Sequence, residues 1–128
     1  MFKPEGYNSL SPYLIVDDAE RLVELLKAIF NATELRRFNH EDGKIAHLEL
    51  QIDDSVLMLS SSTAQFPANQ TVLHVYVPDV FVTYQAAIHH NCTSVEEPAN
   101  REGDPDTRGS FLDFAGNFWS VGTQSIKN

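Results

Sequence analysis

One plan is written twice in this chain. Leu73-His74-Val75-Tyr76-Val77-Pro78-Asp79 reads against Pro12-Tyr13-Leu14-Ile15-Val16-Asp17-Asp18. In each copy an alternating stretch, the period of a half-buried strand, runs into an aspartate and then into a helix. In the first copy Leu22, Val23, Leu25, Leu26, Ile29 and Phe30 recur at helical spacing. Asp17 or Asp18 is the N-cap, accepting from the free amides of the first turn and favouring the positive end of the helix dipole. The helices stop at Asn31-Ala32-Thr33 and Asn91-Cys92-Thr93, one position being lost between the copies. Asparagine tolerates the left-handed conformation that ends many helices.

After the first helix, strands are predicted over Leu35–Asn39, Ile45–Ile52 and Val56–Leu59, with turns at Glu41-Asp42-Gly43 and Asp53-Asp54. After the second come a short strand at Val95, a charged loop, a strand over Ser110–Phe114, a turn at Ala115-Gly116-Asn117, and a strand over Phe118–Gly122. The fold class is therefore α+β: two βαβββ modules forming a cupped mixed sheet with helices on its outer face. Module 1 covers about residues 9–60, a linker about 61–70 and module 2 about 71–124, together one domain over 1–128. A ferredoxin-like sandwich leaves too many of these strands unplaced.

Alternation assigns the faces. Leu14, Val16, Leu48, Leu50, Leu57, Leu59, Val75, Val77, Trp119 and Val121 are expected against the helices. Ser11, Tyr13, His47, Glu49, Gln51, Met58, Val72, His74, Tyr76, Phe118 and Ser120 are expected on the concave side.

Nine Lys and Arg against eighteen Asp and Glu give a formal charge of -9, which repels phosphate backbones and anionic lipid surfaces. Neither nucleic acid nor membrane is expected as a partner. No apolar run approaches the roughly 18 residues of a bilayer span, and the start MFKPEGYNSL has no signal-peptide pattern. The lone Cys92 agrees with a reducing compartment, so a cytoplasmic protein is expected.

The segments SPYLIVDDAERLVELLKAIFNA, KIAHLELQIDDSVLML, LHVYVPDVFVTYQAAIHHN and GSFLDFAGNFWSV, in this order, resemble the glyoxalase/bleomycin resistance protein/dioxygenase superfamily, also called vicinal oxygen chelate proteins, in its PhnB-like branch. The resemblance covers nearly the whole chain. It implies the glyoxalase/bleomycin-resistance fold, a cup holding a small organic molecule, and a homodimer. Metal-dependent members take ligands from the first and last strands of each module. The positions carried over here are Ser11, Met58, Val72 and Ser120, with Glu49 the alternative in a shifted register. Serine hydroxyls and a thioether are poor donors for a hard divalent ion, so the standard metal site is not expected and no cofactor is predicted.

The candidate acid/base groups are His47, Glu49 and His74, since a carboxylate near an imidazole favours its cationic form and a His47–Glu49 or His74–Glu49 pair can move protons. The same residues equally suit a wet sheet face or a binding wall. Candidate ligand contacts are Tyr13, Ser11, Met58, Tyr76, Phe118 and Ser120, with Phe66 and Phe111 as further aromatics and Arg108 for an anionic group. Glu97–Gly109 reads as a long loop that can act as a lid. His89 and His90 sit at a helix C-terminus, where favourable charge accounts for them. Three function classes follow: a binding protein with no metal, a lyase- or isomerase-type enzyme using the His and Glu groups with or without a metal, and a partner-binding module whose cup is filled by its own side chains.

Overall fold

Asp18 accepts from the amide of Arg21 and so starts helix α1 (Ala19–Phe30), which Asn31 ends in the left-handed conformation at φ 54°. This is a computed structural model, described here over residues 1–125. The chain divides into two compact units, Met1–Asn69 and Gln70–Asn128, the division falling inside the linker read from sequence. In the first unit α1 lies between strands β1 (Tyr13–Val16) and β2 (Thr33–Asn39), followed by β3 (Ile45–Ile52) and β4 (Ser55–Ser61). The order across the sheet is β1-β4-β3-β2, with β1 parallel to β4 and the other pairs antiparallel. The tight β3–β4 turn works because Asp53 accepts a positive φ of 52°.

The second unit repeats this with β5 (Val72–Tyr76), α2 (Val80–His89), β6 (Thr93–Asn100), β7 (Asp106–Leu112) and β8 (Phe118–Gln124), ordered β5-β8-β7-β6. Asp79 caps α2 by accepting from Phe81 and Val82, and Asn91 takes φ 70° just past its end. Both helices thus start on the matched aspartates and stop by the matched asparagines.

Each helix packs on the apolar side of its own sheet. Leu14, Leu48, Leu50 and Leu59 are fully buried under α1, as are Leu22, Val23 and Leu26 of the helix. Each such side chain contributes about 1.5–3 kcal/mol by leaving water. Trp119, Val121 and Phe111 form the equivalent layer in the second unit, while Val75 and Val77 are only half-buried.

Two sequence expectations are corrected. The segment 97–109 is not a long loop: β6 runs to Asn100 and β7 begins at Asp106, so only 101–105 make the turn and the lid falls away. The pairing Glu96↔Ser110, Ala99↔Arg108 and Asn100↔Thr107 holds both arms in the sheet, and Pro98 sits where the register is interrupted. Phe111 is no cavity wall, because the alternation of β7 turns it into the core, where it has no exposure.

Candidate functional site

Sheet register sets out one row of side chains across the face of each sheet that points away from its helix. In the first unit Tyr13 pairs with Met58, Met58 with Glu49 and Glu49 with Arg36. In the second, His74 pairs with Ser120, Ser120 with Ser110 and Ser110 with Glu96. Tyr13 and His74 each stand five residues before their aspartate cap, so the rows correspond position by position. His47 and Arg108, two residues back from Glu49 and Ser110, correspond as well.

The first row is closed by hydrogen bonds. Glu49 is only 4% exposed and receives the Tyr7 hydroxyl on Oε1. His47 Nε2 lies 2.8 Å from Glu49 Oε2, and His47 Nδ1 lies 2.8 Å from the Tyr13 hydroxyl. An ionised carboxylate only accepts, so Nε2 carries a proton and, in the neutral ring, Nδ1 accepts from Tyr13. Arg36 Nε is 3.7 Å from Glu49 Oε1, and its guanidinium lies 5.3 Å from the centre of the Tyr7 ring, in cation–π range. Burial pushes the Glu49 carboxyl up, but the Tyr7 and His47 hydrogen bonds and the Arg36 charge overcome it and hold the carboxyl below its ordinary value. The Tyr7 hydroxyl is pushed up, chiefly because it donates to that anion.

The second row has different chemistry. His74 Nδ1 is 2.9 Å from Ser120 Oγ, and the His74 ring meets Tyr76 edge-on at 4.8 Å. Burial and the charge of Arg108 lower the His74 pKa against the pull of Asp106, favouring neutral imidazole. Gly122 gives that ring its place, since a Cβ there would come within 3.3 Å of His74 Cε1. Tyr76 donates to Asp106 Oδ2 at 2.7 Å, which raises the phenol pKa. Arg108 donates through Nε to Asp104 at 3.0 Å, with Asp106 3.6 Å from Nη2.

The sequence-read residues thus fall into two groups. His47, Glu49 and Tyr13 share one chain of hydrogen bonds, with Met58 beside Glu49. His74, Ser120, Tyr76 and Arg108 share the second face with Phe118, which is half-buried. Ser11 precedes β1, and its Oγ is buried without a partner among the described residues. Sequence reading missed Tyr7 and Arg36. Tyr7 comes from a segment with no period, and Arg36 faces Glu49 only because the β2–β3 register shifts between Glu34 and Arg36.

The donor set does not fit the metal that the resemblance implies for some members. Its four carried-over positions hold two serines, a methionine and a valine, and Val72 offers no donor atom. Among the described residues no three His, Cys, Asp or Glu side chains converge.

No protein-family model matches the chain. It is 30% identical over 125 residues to the uncharacterized protein Mb0911c of Mycobacterium bovis, covering 89% of this chain and 82% of that one. It is equally similar to the uncharacterized protein Rv0887c of Mycobacterium tuberculosis, covering 73% of its length. Among solved structures it is similar to TioX from Micromonospora sp. ML1, with TM-score 0.76 at 17% identity over 91% of this chain and 98% of that one. The fosfomycin resistance protein FosX from Mesorhizobium loti gives TM-score 0.67 at 15% identity, with coverage of 97% and 96%. A glyoxalase I mutant from Zea mays gives 0.71 at 14%, over 88% of this chain and 43% of that one. The chain belongs to the family of these uncharacterized mycobacterial proteins, and its paired βαβββ modules have the fold of the glyoxalase/bleomycin resistance/dioxygenase, or vicinal oxygen chelate, superfamily.

Proposed function

We propose that this protein binds a small organic molecule on the helix-free faces of its sheets, without the standard divalent metal. The observation that carries this reading is the Tyr13–His47–Glu49–Tyr7 chain. It is a polar wall organised by its own hydrogen bonds, with the Tyr13 ring 39% exposed at one end. A carboxylate whose proton affinity is held below its ordinary value is a weak base, and both Glu49 oxygens are already engaged. The group therefore suits positioning better than proton abstraction. The similarity to TioX and FosX in fold supports a concave binding face. In this reading the protein is PhnB-like, cytoplasmic and homodimeric, with no nucleic-acid or membrane partner; among the described residues no helix is long and apolar enough to cross a membrane.

The test is a thermal-shift and NMR screen of ring-bearing small molecules against the purified protein. A ligand that saturates and perturbs the amides of β3, β4 or β8 is expected. A screen in which nothing binds refutes the reading.

One observation favours a lyase- or isomerase-type enzyme instead. His74 is kept neutral beside the Ser120 hydroxyl, as a general base near neutral pH requires. That reading predicts turnover of a small carbonyl or hydroxylated substrate that His74→Gln abolishes with ligand affinity retained. Unchanged turnover in this variant removes His74 as the base.

A further inference from the structure

The two rows differ most at their third position. On β3 it is Glu49, a buried carboxylate surrounded by Tyr7, His47 and Arg36. The matching residue on β7 is Ser110, 5% exposed, whose hydroxyl has no hydrogen-bond partner among the described residues. That hydroxyl opens onto a cleft rather than being sealed in the core, so it can donate to an acceptor from outside the chain.

Ser110 borders an open cleft of about 100 Å³, with Glu96, Arg101, Arg108, Phe118 and Ser120 around it. The cleft is rich in donors. Arg108 gives Nε and Nη2 to Asp104, which leaves Nη1, and Arg101 gives Nη2 to Glu96, which leaves Nε and Nη1. Glu96, the carboxylate on the rim, already accepts from Arg101. Surplus N–H and O–H groups around a small space call for a ligand group that only accepts. A planar pair of oxygens matches the fork of a guanidinium. The volume equals roughly three waters at ~30 Å³ each, which suits a carboxylate, with the rest of the molecule outside. Phe118 offers an apolar surface to that remainder.

We propose that the second module binds a small organic acid with a flat apolar body, its carboxylate over Ser110 and in reach of Arg108 and Arg101. The ligand's carboxylate then takes the place in the second copy that the Glu49 side chain takes in the first. This inference rests on the small-molecule reading above and names its ligand class.

The experiment is an amide NMR titration of the full chain with sodium benzoate, and in parallel with benzamide, which has the same shape without the charge. Benzoate is expected to give saturable shifts centred on Gly109–Phe111 and Phe118–Ser120, and benzamide none there. Ser110→Ala and Arg108→Gln should each weaken benzoate about tenfold, the loss of one charge-assisted hydrogen bond. Ser110→Glu supplies the carboxylate from the chain itself and should abolish the shifts. Ser110→Ala and Arg108→Gln keep the test decisive if Ser110→Glu does not fold.

Equal shifts from benzamide, benzoate shifts that survive unchanged in Ser110→Ala and Arg108→Gln, or no benzoate response at all would each overturn the proposal. Neutral ring compounds that shift the sheet amides where benzoate does not would sink the carboxylate assignment and leave small-molecule binding standing. Silence from every compound would sink both.

Discussion

Replacing Glu49 by Gln tests how the first row is held together. In the wild type the carboxylate accepts from Tyr7 and from His47, and both bonds are charge-assisted. The amide keeps the shape: its oxygen accepts from Tyr7, and its NH2 faces a His47 ring that must change tautomer to accept. Each bond then falls from about 2 to about 1 kcal/mol, so the two together lose about 2 kcal/mol. The Arg36 contact adds little, because that side chain is 51% exposed and solvent screens it. For a chain of this size the loss amounts to about 8 °C in Tm.

The pH dependence identifies the cause. Glu49 has a folded pKa below its unfolded one, so its contribution is complete above the unfolded value of about 4.3 and is lost as pH falls through the folded value. Urea denaturation of both proteins from neutral pH downward is the assay. The wild type should lead by about 2 kcal/mol at neutral pH, and the lead should shrink only on the acid side of about pH 4. A lead independent of pH, or no lead at neutral pH, would refute the argument that an ionised Glu49 organises this face.

Three further predictions concern other parts of the molecule. Asp113 is 5% exposed and accepts from the amides of Ala115 and Asn117, from the Asn117 side chain and from the Trp119 indole, so Asp113→Ala should cost about 3–5 kcal/mol in urea denaturation; a loss under about 1 kcal/mol would show the network to be dispensable. Burial pushes the Cys92 thiol up to about 11, so iodoacetamide should label it at neutral pH far more slowly in the native protein than in urea, read by mass spectrometry; equal rates would contradict that burial. Elemental analysis after loading with Zn, Ni, Mn or Fe(II) and exhaustive desalting should find no stoichiometric ion, and retention lost in Glu49→Ala or His74→Ala would reverse the metal-free reading.

The sequence by itself determined the repeat, the caps and the faces. Asp18, Asp79, Asn31 and Asn91 act locally, through hydrogen bonds and backbone preferences that need only their near neighbours. Alternation placed His47 and Glu49 on one face because the period of a strand is two whatever it pairs with. Alternation carries no information on which strand lies beside which residue. The shift between Glu34 and Arg36 that sets Arg36 against Glu49 is a property of the pairing, as is the extension of β6 through Pro98 that turned an expected loop into sheet. Tyr7 reaches Glu49 across 42 positions of chain, from a segment without periodicity. What the sequence could state about Ser110 was its place on a strand; that it lies between Ser120 and Glu96 follows from register alone. Local propensities act over a few residues and are written in order along the chain, whereas the partners that make a site chemically specific are brought together only when distant strands pair.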